Sequence, residues 1–278
     1  MLPTEFDHKA TSFSEANLVY LAHCANIAYE PKEKIRQVLS KLGFDLSKDS
    51  FFIEDKETDT QCFVAGDNEK IIVSFRGTEK EKTEDLRTDA KIIRIPWPSE
   101  DRPLGKVHRG FCDAVNNVWN RVSTEILSLR TNEQSVWFTG HSLGAALTTL
   151  AAASLYFKDK KQLINGVYTF GQPRVGNSDF ATLYNADLKE KTFRIVNNND
   201  VVTRVPGRPR FSHVGSLMYF TTEEQLYRDE ELSWWEKFLD RTEGRLDDVM
   251  ELGLDDIKDH SMDIYQELCE KSYQHNCS

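Results

Sequence analysis

Gly140-His141-Ser142-Leu143-Gly144 has the spacing G-x-S-x-G. A serine hydroxyl is a poor nucleophile near neutral pH and becomes a useful one when a neighbouring base takes its proton. This pattern raises such a serine on a sharp strand-to-helix turn, with glycines where a side chain would collide with the adjacent strand or helix. Ser142 is therefore the candidate nucleophile. The helix that follows aims its free N–H groups and positive dipole end at the same spot, where an oxyanion would form. The loop leaving an early strand supplies the second such donor in this arrangement. Arg76-Gly77-Thr78 ends the apolar stretch Lys70 to Phe75, so Thr78 is the candidate for it. Asp200 closes the polar turn Asn197-Asn198-Asn199-Asp200, just past an expected strand. A carboxylate there can reach sideways to an imidazole while staying fixed. Two histidines compete for the base. His213 precedes the last expected strand, Ser216 to Phe220, and His260 lies well beyond it. The chain order Ser, Asp, His, with the base on a loop after the last strand, favours His260 and leaves His213 to brace the loop near Asp200.

These side chains need a scaffold that presents strand ends together. Val136-Trp137-Phe138-Thr139 is a short β-branched and aromatic run, and Leu143 to Tyr156 is a run of alanine, leucine and threonine that reads as a buried helix. Upstream, Ser12-x-x-Glu15 is a capping-box pattern ahead of Leu18, Leu21, Ala22, Ala25, Ala28 and Tyr29 at helical spacing. Pro31 ends that helix and opens a second, with Ile35, Val38, Leu39 and Leu42 on one face and Gly43 as its stop. Strands are expected at Phe51 to Glu54, Gln61 to Ala65, Lys70 to Phe75, Gly166 to Phe170 and Lys191 to Val196. His108 opens a helix whose apolar face runs from Phe111 through Val122 to Ile126, so a structural role is expected of it. Glu79 to Lys91 is dominated by charged residues and reads as a solvated face. The expected organisation is a single α/β domain over residues 1–278 with a central, mostly parallel sheet flanked by helices. A helical insertion of about residues 221–258 carries Trp234, Trp235, Phe238 and Leu239, then Leu246, Val249, Met250 and Leu254. It reads as an amphipathic pair packed on the body, or as the wall or lid of a substrate pocket.

A chain of 278 residues can bury a full core, and 39% hydrophobic with 29% charged residues is ordinary globular composition. A net charge of −10 argues against nucleic acid and against an anionic membrane face as partners. The first residues have neither a basic start nor an apolar core, and no apolar run reaches the length of a membrane span. A cytoplasmic location is expected. The five cysteines form no C-x-x-C pair, which fits free thiols in a reducing compartment, with a Cys269–Cys277 loop as the alternative on export. The seven histidines form no H-x-x-x-H or Cys/His set, so no metal is expected.

Six stretches occur in one order: FRGT at Phe75, VHRGF at Val107, GHSLGAAL at Gly140, TFGQPRVGN at Thr169, NNNDVVTRVP at Asn197 and DHSMDIY at Asp259. Together they resemble the class 3 lipase family, the fungal-lipase-type branch of the α/β-hydrolases, from roughly Phe13 to Tyr265. The resemblance implies the α/β-hydrolase fold and hydrolysis of carboxylic esters of acyl lipids, without cofactor or metal. It implies Ser142 as nucleophile, Asp200 as acid and His260 as base in its D-H-x-x-x-x-Y setting, with Thr78 and Leu143 as the oxyanion pair. Lipase, phospholipase A and carboxylesterase activities, and a feruloyl-type esterase, stay open on this scaffold. A non-catalytic binding protein that kept the fold and a membrane-surface protein anchored through Trp234 and Trp235 are the contrasting readings. The chain departs from the secreted members in its charged segment after Thr78, which takes the place of a lid with an apolar underside, and in its large Trp234-to-Leu254 insertion.

Overall fold

The structure is a computed structural model that describes residues 3, 5–46, 49–77, 92–99, 101, 103–158, 164–198, 200–228 and 259–276. Helix α1 (Glu15–Ile27) is capped by Ser14, whose hydroxyl accepts the Asn17 N–H at 3.3 Å. The cap thus falls two residues after the expected Ser12, on a residue whose extended backbone turns its hydroxyl back over the first turn. Pro31 opens α2 (Lys32–Lys41), and Gly43, at φ +91°, takes the chain out of it.

Strands β1 (Phe52–Asp55), β2 (Thr60–Gly66) and β3 (Lys70–Phe75) form an antiparallel run. From β3 onward the pairing is parallel, through β6 (Ser135–His141), β7 (Gly166–Phe170), β8 (Thr192–Asn197) and β9 (Ser216–Phe220). The described strands give one eight-stranded sheet in the order β1-β2-β3-β6-β7-β8-β9-β10. Its last member, β10 (Leu226–Arg228), pairs antiparallel with β9. The helical insertion expected from about residue 221 does not begin there: the chain turns at Thr221, whose N–H donates to the Gln225 carbonyl, and runs back along β9. The Trp234-to-Leu254 stretch lies outside the described residues. A separate hairpin, β4 (Arg94–Trp97) with β5 (Gly105–His108), precedes α3 (Arg109–Leu129).

Side-chain alternation divides the interior in two. Ile71, Val73, Phe75, Val136 and Phe138 face α3, α4 (Leu143–Ala153) and α5 (Ser178–Leu188). Ile72, Trp137, Tyr168 and Phe170 face α1, α2 and the last helix, α6 (Met262–Asn276). A sheet covered on both faces needs continuous apolar strands, and β3 and β6 are buried at every position. Full burial of a side chain such as Phe138 contributes roughly 1.5–3 kcal/mol. No described helix is long and apolar enough to cross a membrane.

The parallel register aligns the strand ends. Phe75 lies opposite Gly140, His141 opposite Phe170, and Phe170 opposite Ile195. The turns after β3, β6, β7 and β8 therefore open side by side at the carboxyl edge of the sheet, where α/β folds gather their ligands.

Candidate active site

Between β6 and α4, Ser142 holds φ 57° and ψ −127°, a region that costs a residue with a side chain about 1–3 kcal/mol. Close packing on both sides keeps it there. A Cβ on Gly140 would lie 2.6 Å from the Gly144 carbonyl oxygen and 2.6 Å from the Thr148 hydroxyl. A Cβ on Gly144 would strike the Phe75 carbonyl oxygen at the end of β3. The Ser142 N–H also donates to the Phe170 carbonyl at 3.0 Å. The serine is 1% exposed, and its hydroxyl reaches out from the turn to one neighbour, His260.

His260 comes from the loop before α6. Its Nε2 is 2.7 Å from Ser142 Oγ, and its Nδ1 is 2.8 Å and 3.0 Å from the two carboxylate oxygens of Asp200. The carboxylate accepts from Nδ1–H, which leaves Nε2 of the neutral ring to accept the serine proton. His213 is not in this line. Its Nε2–H donates to the Thr203 carbonyl at 2.8 Å, bracing the turn that follows Asp200. Burial, reinforced by the positive Arg194 and Arg174, holds the His213 pKa well below the usual imidazole value. His108 is remote as well. It caps α3 through Nδ1, stacks on Phe111 at 4.1 Å, and has its pKa lowered by burial.

Asp200 is 1% exposed, so its charge needs donors, and the structure supplies them. Oδ1 accepts the Val202 N–H at 2.9 Å and Oδ2 accepts the Tyr265 hydroxyl at 2.6 Å. The Tyr265 oxygen accepts the Asn197 N–H at 2.9 Å, while the Asn197 amide donates to the Asp259 carbonyl at 2.9 Å. Asn197 thus ties the end of β8 to both the tyrosine and the loop that carries His260. Burial and the adjacent Asp200 charge push the Tyr265 pKa well up, keeping its hydroxyl a donor.

Gly171 is a site residue to which sequence reasoning assigned no role. At φ +57°, it leaves room for the Asp200–His260 pair: a Cβ there would sit 2.7 Å from Asp200 Oδ2 and 2.9 Å from His260 Nδ1. Its signal was present in the TFGQPRVGN stretch, as a glycine directly after an apolar strand. Of the oxyanion candidates, Leu143 opens α4, so its N–H has no acceptor within the helix. Thr78 lies outside the described residues, as does the charged Glu79-to-Lys91 run. Gly77, next to Thr78 in the chain, is held beside the start of α4, since a Cβ on Gly144 would lie 2.8 Å from its nitrogen. Among the described residues, no group of three or more His, Cys, Asp or Glu side chains is arranged to hold a metal ion. Cys24, Cys62, Cys112 and Cys269 are free and buried, and Cys277 is outside the described residues.

Comparison with known proteins points the same way. The family described as lipase (class 3) matches residues 72–209. A triacylglycerol lipase, OBL1 of Arabidopsis thaliana, is 28% identical over 249 residues, covering 70% of this chain and 47% of the relative. A chloroplastic phospholipase A(1) of the same plant, DAD1, is 35% identical over 153 residues, covering 49% of this chain and 34% of the relative. The chain therefore spans less than half the length of these curated relatives. A solved triacylglycerol lipase, described as having a serine-protease triad at its catalytic centre, superposes with a TM-score of 0.62 and 26% identity. That match covers 76% of this chain and 82% of the other, and its fold is the α/β-hydrolase fold. The ordered motifs, the sheet and the family match agree, and the chain belongs to the class 3 lipase family.

Proposed function

We propose that this protein is a serine hydrolase that cleaves carboxylic esters of acyl lipids through an acyl-enzyme. The observation that carries the reading is the unbroken line of hydrogen bonds from Ser142 through His260 to Asp200, set on a strained strand-to-helix turn. As Ser142 Oγ attacks the ester carbonyl, His260 Nε2 takes its proton. Asp200 holds the ring in the productive tautomer and stabilises the imidazolium that forms. The Leu143 N–H, with the N–H of Thr78 as its proposed partner, receives the charge on the carbonyl oxygen, each such donor being worth about 3 kcal/mol of barrier. His260 then protonates the leaving alcohol. Water enters, gives its proton to His260, and releases the fatty acid by the same steps in reverse.

A triacylglycerol lipase and a phospholipase A(1) among the relatives support an acyl-glycerol ester as substrate and leave two head-group classes in play. Release of fatty acid from trioleoylglycerol emulsions and from diacyl phosphatidylcholine vesicles distinguishes them. Turnover of either supports the reading, with the faster one naming the class. Absence of turnover on both, and on p-nitrophenyl esters from acetate to palmitate, refutes it.

A further inference from the structure

His141 stands one residue before the nucleophile, yet its side chain takes no part in the Ser142–His260–Asp200 line. It is buried and makes hydrogen bonds from both ring nitrogens. Nε2 lies 2.8 Å from the backbone carbonyl oxygen of His260. A carbonyl only accepts, so Nε2 carries the proton, and Nδ1 of the neutral ring is an acceptor. The Tyr29 hydroxyl, 2.7 Å away, donates to that Nδ1. Gly77 packs tightly on the same pair, because a Cβ there would collide with the Tyr29 hydroxyl and lie 2.6 Å from the His141 carbonyl oxygen. The result is one directed chain, from Tyr29 through His141 to the backbone of His260, with Gly77 packed against its start.

From this chain we infer that Tyr29 and His141 are positioning residues, which hold the loop leaving β3 and the loop carrying His260 in register across the nucleophile. This rests on the ester-hydrolase reading. The ring of His260 is oriented by Asp200 and Ser142, and His141 acts on its backbone. A displacement of about 1 Å in such a site costs on the order of 100-fold in rate. The two imidazole rings lie 4.6 Å apart at 33°, and a charged His141 would oppose the imidazolium that His260 becomes during turnover. Burial raises the Tyr29 pKa, so its hydroxyl stays a donor at ordinary pH. Tyr29, expected on the apolar face of the first helix, sits instead in the turn between α1 and α2.

The test is Tyr29→Phe, which keeps the ring and removes only the hydroxyl. The expected result is a kcat lowered about 10- to 100-fold with KM held within about 2-fold. In 15N-imidazole spectra of the resting protein, His141 is expected in a fixed Nε2–H tautomer in the wild type and in a mixture in the variant. His141→Gln, which again offers one acceptor and one donor, is expected to retain more kcat than His141→Phe. An unchanged kcat with an unchanged His141 spectrum in Tyr29→Phe overturns the inference, as does a His141→Phe as active as His141→Gln. If Ser142→Ala is as active as wild type, the ester-hydrolase reading itself fails. The spectra then decide alone: a tautomer freed by Tyr29→Phe supports the relay, and an unmoved one overturns it.

Discussion

At the scale of single residues, the site depends on what is absent as much as on what is present. Gly171 has no side chain, and the Asp200–His260 pair fills the space a Cβ would take. Gly171→Ala therefore combines a strained φ of +57° with a clash against both side chains of the pair. It is expected to cut kcat/KM by about 100-fold or more while thermal unfolding remains cooperative; an alanine variant of near wild-type activity would show that the pair has room to move. Sequence chemistry made Ser142 and Asp200 legible because each is a reactive type at an expected strand end, and His260 because the chain order puts the base on a loop beyond the last strand. Tyr29, Asn197 and Tyr265 were harder to read. Their work is to donate or accept hydrogen bonds across 62 to 112 positions of chain, and nothing in local spacing announces a partner that distant.

At the scale of elements, the turn at Ser142 is a contact between β3, β6 and α4. Gly144 lets the first turn of α4 lie directly on the end of β3, and this close approach brings the start of α4 beside Gly77. Gly144→Val is expected to push the helix off the strand, lowering stability by about 1–3 kcal/mol through overpacking and abolishing measurable ester turnover. Urea unfolding beside the rate assay separates the two effects, and a variant that keeps full turnover would contradict this placement. The elements nearest the site were the most legible. β3, β7 and β9 span the residues their apolar patterns indicate. The hairpin β4–β5 and the edge strand β10 were missed because they are short and partly exposed, so neither presents a full alternating face. The cap of α1 was misplaced by two residues because Ser12 and Ser14 are both capping types and only the backbone decides between them.

For the whole molecule, the two cores on opposite faces of the sheet hold the four strand ends at fixed spacing, and the titrating groups inside that frame set its pH range. His23, His108 and His213 all have pKa values lowered by burial. The folded protein keeps these rings neutral, whereas in the unfolded chain they take up protons near the ordinary imidazole value of about 6.5. More protons then bind to the unfolded state, so the stability present above that pH is lost as pH falls below it. His213 dominates, being lowered furthest and hemmed in by Arg194 and Arg174. Chemical unfolding from pH 8 to pH 5 is expected to show stability falling at up to about 1.4 kcal/mol per pH unit for that ring. His213→Gln should flatten the slope, and an equal slope in both proteins would remove His213 as its source.

The most direct measurement of the central claim is kcat/KM on a p-nitrophenyl ester for wild type, Ser142→Ala, His260→Ala and His213→Gln. The account predicts turnover by wild type, a loss of about 10⁴-fold or more in the first two variants, and activity within about 10-fold of wild type in the third, whose side chain braces a turn and touches neither Ser142 nor Asp200. Full activity in Ser142→Ala, or a His213→Gln as inactive as His260→Ala, would contradict it.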